Sequence, residues 1–374
     1  VLRMLADPSD PGRPAPGRRA TPARPAPVPR PGRRAVLLAG ASTGLLALAG
    51  CGTVRLGGPA PYTPPPPGID DLYREDLLAS LETCLAGARA VEEATDPGTD
   101  AAAAEVLSEL VGVLPAQRDS LRTGAELEDA ASAEAAGSPT ATVSPSASPA
   151  ADAAALVAAL SDLRVLCTAA ARQVSGSLAR PVAAIGAHVH WAALRLVAAS
   201  GSGEVAALPP AEEIVPTRTV PETDPPSIGA ESDYHLTIEA AQDQEWYAGY
   251  VHEVLAARTA DEERTAHEEA STLHRDRAAA LAAAAQEDGA PVVERKAVYA
   301  LPVEPLDEDT AAKLPAQVST ALLDAHLALT GAAPFARRPL GIAAALAEAG
   351  VLAPLTGAMD PLPSLDITQR GADG

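Results

Sequence analysis

Seven histidines, 49 acidic residues and three cysteines are the groups in this chain with chemistry to offer. They crowd most between positions 243 and 276, where Glu245, Glu253, Glu263, His267, Glu268, Glu269 and His274 occur. A carboxylate-bridged dimetal centre in a helical bundle takes glutamates from two helices and Glu-x-x-His from two more. No Glu-x-x-His occurs here: the residue three before His267 is Arg264, before His274 Ser271, and before His326 Leu323. His267 and His274 stand two helical turns apart, too far to chelate one ion alone. Glu263 and His267 have the i,i+4 spacing of an ordinary surface pair. His188 and His190 point to different helix faces. Farther along, Asp324, His326 and Glu348 are isolated. Ligand number and spacing both argue against a metal site, and the reading assigns no metal and no cofactor. An unpaired carboxylate in an apolar core is costly, so most of these acids are expected to face water.

Other motifs carry less. Gly40-Ala41-Ser42-Thr43-Gly44 spells a nucleophile elbow, but that motif needs a strand before it and a helix after it. Here it lies inside a short apolar run near the N-terminus. There is no glycine-rich phosphate loop and no Cys-x-x-Cys. No catalytic residue is assigned and the chain is read as a non-enzyme. The densest polar cluster, His274-Arg275-Asp276-Arg277, is either a buried network that registers the helices or a solvated face; a ligand pocket is the lesser reading. Trp246, Tyr247 and Tyr250 stand out in a chain with only 2% aromatic residues. Core packing is the default for them, a partner-binding surface the alternative.

The N-terminal pattern speaks to location. Arg33-Arg34 precede an apolar run, Ala35 to Gly50, that is too short to cross a bilayer. Basic flank, short apolar core and small residues before a break make an export signal. Its end, Leu48-Ala49-Gly50-Cys51, resembles a bacterial lipoprotein signal, which implies cleavage before Cys51 and acylation of that cysteine. Gly32 to Leu38 is similar to a twin-arginine signal, an ordinary secretion signal being the alternative. The expected location is therefore extracytoplasmic, anchored to the outer face of the cell membrane. The formal net charge is −21, and only Asp7 and Asp10 among the acids precede Cys51, so the remainder is more acidic still. Such a surface repels phosphate backbones, so nucleic acid is excluded as a partner. Attachment must come from acyl chains, at about 0.8 kcal/mol per buried CH₂.

The apolar periodicity is helical throughout. Residues 1–50 form the extension and signal, and 51–68 a lipidated, proline-rich stalk. Four helices are expected over 69–200. Leu77, Leu81, Cys84, Ala88 and Val91 line the first; Val106, Leu110, Val113 and Leu121 the second, kinked at Pro115. Leu156, Leu160, Leu163, Cys167, Ala170 and Val174 line the third. The fourth begins after Pro181 with Val182, Ile185, Val189 and Leu196. A Ser/Pro/Thr/Ala insert at 137–151 reads as disordered. With Cys51 acylated, Cys84 and Cys167 remain as an even pair on apolar faces of one bundle in an oxidising compartment. A disulfide is expected between them, closing a loop long enough for about 4–5 kcal/mol of unfolded-state constraint; buried free thiols are the alternative. Residues 201–228 read as a linker. A second four-helix set follows over 229–365, its second helix opening with a capping box at Thr259-x-x-Glu262, and 366–374 is a tail. No segment alternates like a strand. The expected fold is all-α, two tandem four-helix bundles.

The second set also resembles a known family. Glu245-Trp246-Tyr247-Ala248-Gly249-Tyr250, then His274 through Leu281, then Tyr299-Ala300-Leu301-Pro302 and Pro361-Leu362-Pro363-Ser364-Leu365 occur in the order found in a ferritin-like four-helix domain of unknown function from actinobacterial secreted proteins and lipoproteins. The resemblance covers about 233–365. Family members usually carry an acidic residue and a histidine just before the tyrosines of the first helix; Asp243-Gln244 or their neighbours stand there instead. The resemblance implies a ferritin-like fold and an envelope location, without a mechanism. The function expected is that of a non-catalytic binding or structural module with an envelope protein or cell-wall partner. Its rival is a ferritin-like metal- or small-molecule-binding protein with redox activity.

Overall fold

Each stripe of leucine, valine and alanine becomes a helix whose buried face is that stripe. A computed structural model describes residues 67–135, 150, 152–219, 230–303 and 305–365. The signal, Cys51, the stalk to 66, residues 136–149 and 151 at the insert, 220–228 of the linker, 229, 304 and the tail lie outside the described residues. Among those described there are nine α-helices and no strand: α1 (Ile69–Ala94), α2 (Ala101–Ser120), α3 (Gly124–Ala135), α4 (Ala153–Gln173), α5 (Gly176–Ser200), α6 (Ala230–Ala256), α7 (Asp261–Asp288), α8 (Glu308–Ala332) and α9 (Arg338–Leu352). The fold is all-α, as the periodicity predicts.

Aspartate side chains cap two of the starts. Asp152 accepts from the Ala155 amide at 2.9 Å and Asp307 from the Thr310 amide at 2.7 Å, relieving N–H groups that the first turn leaves unpaired. Three local expectations are corrected. α5 starts at Gly176, so Pro181 stands inside it; the carbonyl that loses its partner belongs to exposed Ser177, where water can serve instead. α3 was not expected; Thr123 and Glu126 open it with a reciprocal cap, the Thr123 amide donating to Glu126 Oε2 at 2.6 Å and the Glu126 amide to Thr123 Oγ1 at 3.3 Å. The capping box at Thr259 does not form. Its hydroxyl donates to Leu255 O at 3.0 Å, finishing α6, and α7 begins with Asp261 at a positive φ of 51°.

α1 packs on α2 and α4, and α5 packs on both α2 and α4, closing one four-helix group. In the other, α6 packs on α7 and α8, and α8 on α9. α5 also meets α8 and α9, which explains its composition. A helix with neighbours on nearly every side is apolar all round. By length and composition α4 and α5 would serve as membrane spans, yet 72% of the most apolar window of α5 is buried inside the protein. One apolar core runs from Tyr73 and Leu77 through Leu160, Cys167 and Ile185 to Leu327, Leu346 and Leu362. The two groups thus share a core within one compact unit, Pro65–Gly374.

Close backbone approach joins them. A Cβ on Gly331 would sit 2.8 Å from Arg180 Cβ, so only glycine lets α8 cross α5 there. Polar straps tie the irregular segments down. Gln173 Nε2 donates to Arg218 O at 2.7 Å, and its Oε1 accepts from the Thr217 amide at 3.0 Å and from Tyr73. Arg164 Nη2 donates to Ala206 O at 3.0 Å. Past α9, Gln117 Nε2 donates to Pro361 O at 2.9 Å and Arg180 holds Ser364.

A buried carboxylate and histidine cluster as candidate functional site

Two glycines set the geometry of the second helix group. Gly249 of α6 faces α7, where a Cβ would lie 3.0 Å from Arg275 Cγ, and Ser271 Oγ donates to Gly249 O at 2.7 Å. Gly341 of α9 faces α8, where a Cβ would lie 2.8 Å from His326 O. One turn from Gly249, on either side, α6 carries Glu245 and His252. Two turns beyond Gly341, α9 carries Glu348. The tight crossings therefore bring four helices' polar groups to one place.

Glu245 is fully buried at its centre. His274 Nδ1 donates to Glu245 Oε2 at 2.8 Å and His326 Nε2 to Oε1 at 2.7 Å. Arg277, one turn past His274, lies 3.8 Å from Glu245 Oε1 and donates to Glu348 Oε1 at 2.5 Å. Burial by itself would raise the Glu245 carboxyl; the hydrogen bonds from His274 and His326, and their charge, overcome it and hold the group at about 2. It is a carboxylate at any physiological pH. His326 Nδ1 is buried with no hydrogen-bond partner.

A second pair adjoins the first. His252 stacks on His274 with ring centroids 5.4 Å apart, and its Nδ1 lies 3.0 Å from Nδ1 of half-buried His267. Burial, then the charges of His274 and His267, pushes His252 down to about 4. Burial also lowers His267, against the pull of Glu263.

The expectation that the acids face water holds for Glu253, Glu263, Glu268 and Glu269, which are exposed, and fails for Glu245 and Glu348. Both have cationic or imidazole partners that the sequence places 29 to 81 residues away. Of the four-residue polar cluster, His274 and Arg277 enter the core because they are one turn apart. Arg275 turns outward to pair with Glu253, and Asp276 is exposed. Trp246, Tyr247 and Tyr250 are half-buried against the α7–α8 loop. Trp246 Nε1 donates to Val293 O at 3.2 Å, and both tyrosines ring Tyr299 at 6.0 and 5.5 Å. Glu245, His252, His267, His326 and Glu348 are what motif reading passed over. The seven-residue step from His267 to His274 was the one visible signal.

The expected disulfide is also corrected: Cys84 and Cys167 are both free and buried in the first group. Cys84 Sγ donates to Ala159 O at 3.6 Å. A Cβ on Gly186 would come 3.0 Å from Cys167 Cβ, so Cys167 packs as a small apolar side chain against α5.

A cavity of about 460 Å³ lies where Asp70, Arg74, Arg122 and Ser175 meet Leu362, and an open groove of about 500 Å³ runs along Glu253, Arg264, Glu268 and Arg275. Neither is lined by Glu245, His274, His326, Arg277 or Glu348. Among the described residues no three His, Cys, Asp or Glu side chains are disposed to hold one metal ion.

Residues 237–366 match a family model described as a domain of unknown function, DUF4439. The match contains all seven residues of the cluster and its histidine extension. No curated protein matches the chain, and no solved structure does.

Proposed function

We propose that this chain is an extracytoplasmic lipoprotein, held to the membrane through Cys51, whose helical body acts by binding or by holding structure and not by catalysis. The observation that carries this reading is that the acid and base groups of the Glu245 cluster are spent on one another. Both oxygens of Glu245 accept from imidazoles, and Arg277 is committed to Glu348. A general base needs access to a substrate proton, and these groups line neither of the two cavities described above. The 237–366 domain is read as a ferritin-like helix arrangement whose polar core registers four helices. The partner is an envelope protein or the cell wall; the acidic surface disfavours nucleic acid.

Crosslinking in intact cells followed by mass spectrometry tests this. Recurrent envelope or cell-wall species on the wild-type chain, reduced when Cys51→Ser releases it from the membrane, are expected. Absence of any crosslinked partner would count against it. The rival metal- or small-molecule-binding reading draws on one fact, that two imidazoles from different helices converge on one carboxylate. Near-stoichiometric iron or manganese in natively purified protein would favour that rival.

A further inference from the structure

His252 and His267 face each other through the same ring atom. A contact of 3.0 Å between Nδ1 and Nδ1 requires one nitrogen to carry a proton and the other to offer a lone pair. Two neutral rings meet that need, as does one neutral ring with one imidazolium. Two imidazoliums do not, because two N–H groups would then point head-on, with two positive rings 5.2 Å apart between centroids. We propose that the α6–α7 hairpin carries an acid-sensitive latch, closed while one of the two facing nitrogens is bare and opened when both are protonated.

The surroundings decide where each proton goes. On α7, His274 stacks flat on His252 and presents its own N–H to Glu245, so a charge on His252 meets no acceptor on that side. Glu263, one turn before His267, attracts a proton to His267. From α8 the ionisable neighbour is His326, already bound to Glu245; nearer His252, α8 presents apolar Leu314, Val318 and Leu322 to Val251 and Leu255. From α9, Glu348 is taken by Arg277. On the outer face of the hairpin, Glu253 pairs with Arg275 and Arg295, and Arg264 donates to Thr259 O at 2.9 Å. The first proton therefore goes to half-buried His267. The second is forced onto His252, where burial opposes it. The pair stands just before and after the turn at Thr259–Ala260, so its loss loosens the turn end of the hairpin first. The Ser271–Gly249 bond and the Glu245 cluster lie farther along and stay closed.

The test is amide hydrogen exchange on the full chain between pH 7 and 4, corrected for intrinsic rate. Protection over 252–268 is expected to fall about tenfold or more for each unit by which His252 resists protonation, while 274–284 holds. His267→Gln keeps a hydrogen-bonding partner that can donate or accept but does not titrate, so its hairpin protection should fall less in acid than that of wild type, the remaining loss coming from the burial of His252 alone. Glu263→Gln should move the opening to lower pH. Unchanged protection over 252–268 in acid, or a His267→Gln profile equal to that of wild type, would overturn the latch. Should His267→Gln fail to fold, imidazole NMR of the wild type decides: two coupled titrations support it, and two independent ones at ordinary histidine values refute it.

Discussion

The two helix groups are both all-α and are filled differently. The first is packed with leucine, valine and alanine, and two of its buried basic groups lack an acidic partner: Arg164 is held by backbone carbonyls through one nitrogen, and His188 has both ring nitrogens unpartnered. The second has a thinner apolar core, split into two patches around α6, with the Glu245 cluster between them. The difference teaches what each core can specify. Apolar packing rewards any arrangement that buries area, whereas a carboxylate with two required imidazole donors is satisfied in one register only. The buried apolar stripe of α7 is short, Ala278 to Ala285, and that of α6 is broken at Glu245; a polar key compensates for what these stripes leave ambiguous.

The strongest way to break this comparison is to remove the key. Glu245→Ala leaves two buried imidazoles without their acceptor and removes the second carboxylate beside Arg277, and should destabilise the chain by about 3–5 kcal/mol. Leu160→Ala at the centre of the first group should cost about 2–5 kcal/mol through lost transfer energy and a cavity. Denaturant unfolding gives both totals. If the key matters for register, Glu245→Ala should also broaden the NMR resonances of α6 to α9, while Leu160→Ala leaves a uniquely ordered fold. Equal order in the two variants would remove the distinction.

This asymmetry also marks what was legible in the sequence. The stripe from Leu156 to Val174 gives α4 because a helix face repeats every three or four residues, and that period survives any tertiary context. The Glu245 cluster has no such signature. Its members come from four helices, and a lone glutamate among alanines reads as exposed by default. His274 and Arg277 were visible because they share one turn. α3 was missed for want of an apolar stripe, although Thr123-x-x-Glu126 spells its cap. Cys84 and Cys167 were correctly placed on core faces, but an even count of thiols does not say whether their sulfurs bond.

Acid should separate the regions next. His188, His190 and His252 are each pushed down to about 4 by burial. Their folded values lie below the unfolded one, near 6.5. The unfolded chain therefore takes up more protons as pH falls from 6.5 toward 4, and both groups lose stability across that window. Glu245 behaves otherwise. Its value is lowered from 4.5 to about 2, so its contribution is complete above about 4.5 and is lost as pH falls through 2. Melting followed against pH should show one decline common to both groups and a second, below 4.5, that Glu245→Gln abolishes.

A smaller effect probes the seam. Gly331→Ala puts a methyl 2.8 Å from Arg180 Cβ, and overpacking of this kind costs about 1–3 kcal/mol. Because α5 and α8 share the contact, the loss should appear in both groups at once, as a lower but still single transition. Two separated transitions would mean that the common core is dispensable to cooperative unfolding.

The smallest effect sharpens the comparison within one helix. Arg275 and Arg277 lie two residues apart on α7, and each holds a glutamate. Glu253, the partner of Arg275, keeps 53% of its side chain in solvent, while Glu348, the partner of Arg277, keeps 1%. Water and salt screen the first pair, so Glu253→Gln should cost no more than about 0.2–1 kcal/mol and less at high ionic strength. Glu348→Gln leaves Arg277 beside Glu245 without its second carboxylate, a loss of about 3 kcal/mol or more that added salt should barely change. Unfolding at two ionic strengths reads both. A salt-sensitive Glu348→Gln, or a costly Glu253→Gln, would show that helix face does not decide what these pairs are worth.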